Sequence, residues 1–278
     1  MKTVVTISEL RSARLELAEP VGLVPTMGYL HEGHLSLAKR AREECASVVA
    51  TIFINPTQFA PEEDLDSYPR DLDKDLALLE EVGVDLVWMP TPEVMYPENY
   101  QTWVTVDELT HVLEGTSRPT HFQGVTTVVA KLFNGVLPQK TYFGQKDAQQ
   151  VVVIQRMLQD LNFPIEIVVC PIVREPDGLA MSSRNYYLNP EQRQAATVLY
   201  RALTAAKEAF EAGEQQAEKL RAIVTNKVNA ESLAELEYIS CAHPETLIEL
   251  EGAIEGALLS MAVCVGKTRL IDNIFVGK

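Results

Sequence analysis

Five short runs rich in Val, Ile and Thr, kept apart by stretches of helical periodicity, constrain this chain more than any other feature. The runs are Val21–Pro25, Ser47–Ile54, Val84–Met89, Thr141–Gly144 and Ile165–Val173. Between them lie a stripe of Leu30, His34, Leu37, Ala38, Ala41 and Cys45, a helical pattern over 72–82, and further helical stretches over 126–137 and 148–161. Strands separated by helices cannot pair as hairpins, because each connection crosses over a sheet face, and the sheet that results is parallel and doubly wound. Beyond Arg174 the texture changes to an Ala- and Glu-rich helical region over 190–230, followed by strand-like runs at Leu236–Ser240 and Gly256–Val265. The spacing therefore predicts an α/β domain over 1–174 and a smaller C-terminal α+β domain over 175–278. Residues 91–125 show no clear period.

A length of 278 residues with 46% apolar composition suffices for a substantial core. No apolar run reaches the ~20 residues of a membrane-spanning helix, and Met1–Glu19 carries charges every few residues. No membrane association and a cytoplasmic location are expected. Cys45, Cys170, Cys241 and Cys264 lie far apart with no C-x-x-C pair, so they read as small buried hydrophobes and not as a zinc or disulfide framework. The net charge of −15, with nine carboxylates in residues 62–81 against Arg70 and Lys74, repels polyanions and argues against a nucleic-acid partner. A small anionic ligand then needs a local cluster of donors.

Three segments offer such donors. Pro25-Thr-Met-Gly-Tyr-Leu-His-Glu-Gly-His34 lies where the first of these runs turns into a helix. A helix N-terminus carries N–H groups and partial positive charge suited to phosphate, and Gly28 and Gly33 permit close approach. His31 and His34 share one face at i,i+3, although His34 also fits a packed core position. The spacing excludes the zinc-protease helix, and neither a G-x-G-x-x-G nor a P-loop pattern is present. The second segment, Thr141-Tyr-Phe-Gly-Gln-Lys-Asp147, ends a strand at the sheet's carboxyl edge, where open α/β sheets bind ligands; Lys146 and Asp147 also suit the solvated start of a helix. In the third, Asp177-Gly-Leu-Ala-Met-Ser-Ser-Arg-Asn185, two hydroxyls beside an arginine make either a phosphate clamp or a capped turn.

The H-x-G-H after the strand resembles the signature of the HIGH nucleotidyltransferase superfamily. Six ordered motifs narrow the likeness: Pro25-Thr-Met-Gly through His34, Phe53-Ile-Asn-Pro-Thr-Gln-Phe59, Tyr68-Pro-Arg70, Arg118-Pro-Thr-His-Phe-Gln-Gly-Val125, Phe143-Gly-Gln-Lys-Asp-Ala-Gln-Gln150 and Met181-Ser-Ser-Arg-Asn185. Together they resemble the pantothenate synthetase family along most of the chain.

That resemblance implies a Rossmann-like domain and an ATP-dependent condensation of pantoate with β-alanine through pantoyl-adenylate. It implies ATP binding by Met27, Gly28, Tyr29, Leu30, His31, Glu32, Gly33 and His34, with His34 as proton donor and His31 beside it on the triphosphate. Gly144, Gln145, Lys146, Asp147, Val173, Met181, Ser182, Ser183 and Arg184 would complete that site, and His31, His34, Lys146 and Arg184 would be its catalytic donors. Gln58 and Gln150 would bind pantoate with Asn55 near them, and Gln58 would also face β-alanine. Mg²⁺ is expected with ATP, its protein ligands unspecified, Asp147 being a candidate for the ion or the ribose. The likeness further implies a homodimer and a C-terminal domain acting as a lid. Arg118 and His121 belong to a matching loop without an assigned role. From the residues alone, two alternatives stand beside this reading. One is an H-x-G-H nucleotidyltransferase acting on a phosphorylated acceptor, which the uncharged set Asn55, Gln58 and Gln150 disfavours. The other is a non-catalytic nucleotide-binding module, which could dispense with His34, Lys146 or Arg184.

Overall fold

Each strand of the first sheet must bury both faces, because helical crossovers cover both sides, and the side chains sort accordingly. The structure, a computed structural model, describes residues 1–277. Its first compact unit comprises Met1–Gly144 and Gln149–Pro171, and its second comprises Gln145–Ala148 and Ile172 onward. In chain order the first unit runs β1 (Lys2–Val4), α1 (Ile7–Arg14), β2 (Val21–Thr26), α2 (Glu32–Glu44), β3 (Ser47–Ile52), α3 (Leu72–Glu81), β4 (Leu86–Trp88), α4 (Pro92–Met95), α5 (Glu114–Ser117), α6 (His121–Val136), β5 (Lys140–Gly144), α7 (Ala148–Asp160, its first residue grouped with the second unit) and β6 (Glu166–Cys170). The strand order is β1-β4-β3-β2-β5-β6, with every pairing parallel.

Along β2, Val21 and Leu23 join one core with α1, α6 and α7, whereas Val24 joins the opposite core with α2 and α3. The same alternation places Val49 on the first side between Val48 and Ala50 on the second, and Val87 on the second side between Leu86 and Trp88 on the first. Period-2 burial on both faces is what a doubly wound sheet requires. Gly22 permits the closest of these contacts, since a Cβ there would lie 2.9 Å from Cys45 Sγ and 3.0 Å from the Tyr142 ring. The chain reverses its direction of winding between β2 and β5, and the carboxyl edge at that reversal is the place where such sheets bind ligands.

Two elements at the start escape the periodicity argument. β1 has only three residues and pairs at the sheet edge with β4, too short a run to show a pattern. Helix α1 does carry a local signal, the capping box of Thr6 and Glu9. The run expected over 165–173 ends as a strand at Cys170.

The second unit contains α8 (Pro190–Ala195), α9 (Val198–Glu211), α10 (Ala217–Asn229) and an antiparallel sheet β7 (Ala234–Ala242), β8 (Gly256–Val265), β9 (Thr268–Gly277) in that order. The helical region expected over 190–230 is thus three helices; Gly213, at φ +104°, ends α9 in the left-handed conformation that favours glycine. Leu199, Ala202, Leu203 and Ala206 of α9 pack with Leu220, Val224 and Val228 of α10 against Leu259, Met261 and Val263 of β8. Three of the four cysteines are buried and Cys264 is half-buried, all as free thiols.

Inside this unit, Asp272 on β9 is 1% exposed and accepts a bidentate pair from Arg174, at 2.7 and 2.9 Å. Removing one member of a buried pair strands the other charge, so Asp272→Ala should cost the unit about 3–5 kcal/mol, and replacing both residues by leucines should recover most of it. Both tryptophans, Trp88 and Trp103, lie in the first unit. Amide hydrogen exchange of β8 and β9 in denaturant is therefore the suitable readout; unchanged protection in Asp272→Ala would refute the assignment.

Candidate active site

The turn from β2 into α2 is held by a residue far away in sequence. Gly28 (φ +81°) and Tyr29 (φ 50°) take left-handed backbone conformations, which are costly for tyrosine without compensation. Compensation comes from Asp75, 2% exposed on α3, whose two carboxylate oxygens accept the backbone N–H groups of Tyr29 and Leu30, both at 2.7 Å. A Cβ on Gly28 would meet Asp75 Oδ2 at 3.0 Å, so the glycine lets the chain wrap the carboxylate. Burial raises the Asp75 pKa, while the two backbone donors pull it down. Its role is absent from the sequence pattern, because nothing local in 71–75 signals a partner some 45 residues away.

His31 is the N-cap of α2, and its Nδ1 accepts the Gly33 N–H at 3.1 Å; His34 Nδ1 faces the His31 N–H at 3.4 Å. The two rings lie 4.1 Å apart. This is a capping box made of imidazoles. A backbone N–H can only donate, so each Nδ1 supplies a lone pair and the hydrogen-bond network assigns the ring proton to Nε2. Both rings are half-buried, which separates His34 from a sealed core histidine. The backbone N–H groups expected to meet phosphate at Tyr29, Leu30, His31 and Gly33 are thus engaged within the turn, and the ring protons of the two imidazoles lie on Nε2.

At the carboxyl end of β3, Asn55 is 1% exposed with its whole amide in use. Its Oδ1 accepts from Tyr96 Oη at 2.8 Å and Thr57 Oγ1 at 3.0 Å; its Nδ2 donates to Gly124 O and to Gln58 Oε1, each at 3.1 Å. Gln58 is thereby oriented, with its Nε2 directed at Met27 Sδ, 3.1 Å away. The structure so brings together Met27, Asn55 and Gln58, and adds Tyr96. Gln150, half-buried on α7, has no side-chain hydrogen-bond partner among the described residues. Its neighbour Gln149 is buried and bonded to Glu114 N, Leu109 O and Val112 O, which gives it a structural role.

The remaining expected residues belong to the second unit, apart from Gly144, the last residue of the first unit's β5. Asn273 of β9, 2% exposed, donates to the main-chain oxygens of Gln145 (3.0 Å) and Lys146 (2.9 Å) and accepts from Gln145 Nε2 (3.1 Å). That strand fixes the segment carrying Lys146 and Asp147, whose side chains have no hydrogen-bond partners among the described residues. A Cβ on Gly144, at the end of β5, would meet nothing within 4 Å. Val173 and Met181 come together through Met181 N–H to Val173 O at 3.0 Å. Ser182 then caps the short helical turn of Ser183–Tyr187 by accepting the Arg184 N–H, and this turn packs on β9 as well. Among the described residues no three His, Cys, Asp or Glu side chains converge as a metal-binding group, and no helix is long and apolar enough to cross a membrane.

Comparison with known proteins fits this arrangement. The family model described as pantoate-β-alanine ligase matches residues 2–275. Pantothenate synthetase from Chloroflexus aggregans is 60% identical over 274 residues, covering 98% of this chain and 99% of its own. The crystal structure of pantothenate synthetase from Thermus thermophilus superposes with a TM-score of 0.96 at 50% identity, with 100% of both chains covered. The pantoate-β-alanine ligase of Francisella tularensis, crystallised with βγ-ATP and β-alanine, matches at a TM-score of 0.82 and 34% identity over 99% of this chain and 97% of that one. With the family signature running the length of the chain and the fold shared throughout, this protein belongs to the pantoate-β-alanine ligase family.

Proposed function

We propose that this enzyme forms pantothenate in two steps, using ATP to activate pantoate as pantoyl-adenylate. In the first, a carboxylate oxygen of pantoate attacks the α-phosphorus, the bond to the β-phosphate breaks, and diphosphate leaves. In the second, the amine of β-alanine attacks the acyl carbon, AMP departs with its bridging oxygen, and the amine loses a proton. One observation carries the reading: both imidazoles of the β2–α2 turn accept backbone N–H groups at Nδ1 and so present Nε2–H donors. Negative charge grows on the phosphate oxygens in the transition state, and preorganised donors of this kind stabilise it.

His34 serves as proton donor and His31 as its partner on the triphosphate. Lys146 and Arg184, from the second unit, neutralise phosphate charge, and that unit acts as the lid that protects a hydrolysable adenylate. Gln58 and Gln150 bind pantoate through neutral amides, and Asn55 orients Gln58. A carboxylate recognised in this way keeps its nucleophilicity, which a tight arginine pair would diminish. Mg²⁺ would supply charge neutralisation on the phosphates, with Asp147, a half-buried carboxylate without a protein partner among the described residues, as a suitable oxygen ligand. Binding of βγ-ATP and β-alanine by the Francisella tularensis relative supports the substrate set. The active form is a homodimer, as the family resemblance implies.

The enzyme should catalyse pantoate-dependent exchange of labelled diphosphate into ATP without β-alanine. His34→Ala should slow that exchange by about 10²-fold or more, since one transition-state donor is worth ~3–4 kcal/mol, while the fold persists. A variant that melts yet keeps near-normal specific activity in its folded fraction would return His34 to a packing role.

Charge separates the substrates. Gln58→Ala and Gln150→Ala should chiefly raise the KM for pantoate, whereas Lys146→Ala and Arg184→Ala should chiefly impair ATP use or the adenylation rate. Titrating each variant with one substrate at a time checks this, and equal losses for both substrates in all four variants would contradict the division of roles.

A further inference from the structure

Arg118 and His121, to which the family motif assigns no role, converge on one main-chain atom. The Gln58 carbonyl accepts His121 Nδ1–H at 2.9 Å and Arg118 Nη2–H at 3.2 Å. Arg118 is itself locked in place. Its Nε and Nη2 form a bidentate pair with Glu63 at 2.5 and 2.7 Å, its Nη1 donates to His121 Nε2 at 3.2 Å, and Glu114 lies 4.0 Å away on the remaining side. Both members of the pair are largely buried, at 14% and 19% side-chain exposure. Because Nδ1 donates to a carbonyl and Nε2 accepts from a guanidinium, His121 carries a single proton, on Nδ1. Burial, with the adjacent Arg118 charge, lowers its pKa to about 4, which agrees with a neutral ring.

Each guanidinium nitrogen of Arg118 thus bonds to a protein acceptor, so its charge is spent on Glu63, with Glu114 nearby, and not on a substrate anion. Gln58 is held at three atoms: its N–H reaches Asn55 O at 3.3 Å, its carbonyl takes the two donors above, and its Oε1 accepts from Asn55. One Nε2–H of that carboxamide points at Met27 Sδ, 3.1 Å away, and what stays available for a ligand is its second N–H, a donor. Gly124 belongs to the same construction, since a Cβ there would come within 2.5 Å of Thr57 O and 2.7 Å of Gln58 N. The segment Arg118–Gly124 therefore holds the Asn55–Gln58 turn through contacts at several atoms.

We infer that Arg118 and His121 are positioning residues for pantoate selection, holding the Gln58 main chain so that its carboxamide offers an N–H donor to the substrate. The inference rests on the reading of Gln58 as a pantoate ligand. Four variants test it in the full-length enzyme: Arg118→Lys, which cannot make the fork; His121→Ala, which removes the donor; His121→Asn, whose side-chain N–H can stand in for Nδ1–H; and Glu63→Gln, which weakens the lock without touching Gln58. Diphosphate exchange is titrated with pantoate at saturating ATP, then with ATP at saturating pantoate.

Arg118→Lys and His121→Ala should raise the KM for pantoate about tenfold or more and leave that for ATP within about twofold, because a displaced ligand costs binding of its own substrate first. His121→Asn should restore most of the pantoate affinity, and Glu63→Gln should shift KM in the same direction as Arg118→Lys by a smaller factor. Parallel losses for pantoate and ATP, no rescue by asparagine, or an unchanged KM for pantoate would overturn the inference. If Arg118→Lys does not fold, the Glu63→Gln shift and the alanine–asparagine contrast at position 121 decide the matter alone. Wild-type exchange that needs no pantoate would instead remove the parent reading, a result distinct from any failure of the variants.

Discussion

The carboxylate of Asp75 is the constraint on which the rest of the site depends. Without it, the backbone N–H groups of Tyr29 and Leu30 would be left unpaired in a half-buried turn, and the left-handed conformation at Tyr29 would lack compensation. With it, the chain leaves β2 through a fixed bend and enters α2 with His31 at the N-cap. The two imidazoles then complete their own capping box, which settles the direction of their protons. The pair of imidazole donors that our proposal directs at phosphate therefore follows from one acidic side chain on α3, a helix that contributes no expected catalytic residue.

A similar economy governs charge. A protein of net charge −15 must bind a triphosphate and a carboxylate, and under our proposal it keeps their recognition chemically apart. Cations and imidazole donors serve the phosphates; neutral amides serve pantoate. The one arginine adjoining Gln58 is neutralised by Glu63 and Glu114, so it stabilises a turn and, under the same proposal, leaves the pantoate carboxylate reactive. Asn55 and Asn273 play matching parts in the two units, each using a fully engaged amide to fix a segment that carries a candidate ligand, Gln58 in one case and Lys146 in the other.

Local pattern made much of this legible. The parallel sheet followed from apolar runs separated by helical stripes, and the β2–α2 turn from glycines flanked by a strand and a helix. What stayed hidden was either too short or too distant. β1 offers three residues, and β9 carries the adjacent polar residues Asp272 and Asn273, both buried, in the middle of its apolar run. Asp75 looked like one more member of an acidic run, although its burial makes it the exception among those carboxylates. Arg118 and His121 were visible as a motif without a function, because their target is a main-chain carbonyl some sixty residues away and carbonyls leave no trace in side-chain pattern. Phosphate binding by open backbone N–H groups was the expectation that the structure altered most, since those groups already bond within the turn.

The central claim is that the pantoate carboxylate itself becomes the phosphoryl acceptor, with the turn of His31 and His34 meeting the charge that develops at phosphorus. Pantoate labelled with ¹⁸O in its carboxylate, converted with ATP and β-alanine and followed by mass spectrometry of the products, tests this most directly. The account predicts AMP bearing one ¹⁸O and unlabelled diphosphate. Label in inorganic phosphate, with ADP as the nucleotide product, would contradict it by requiring an acyl-phosphate path.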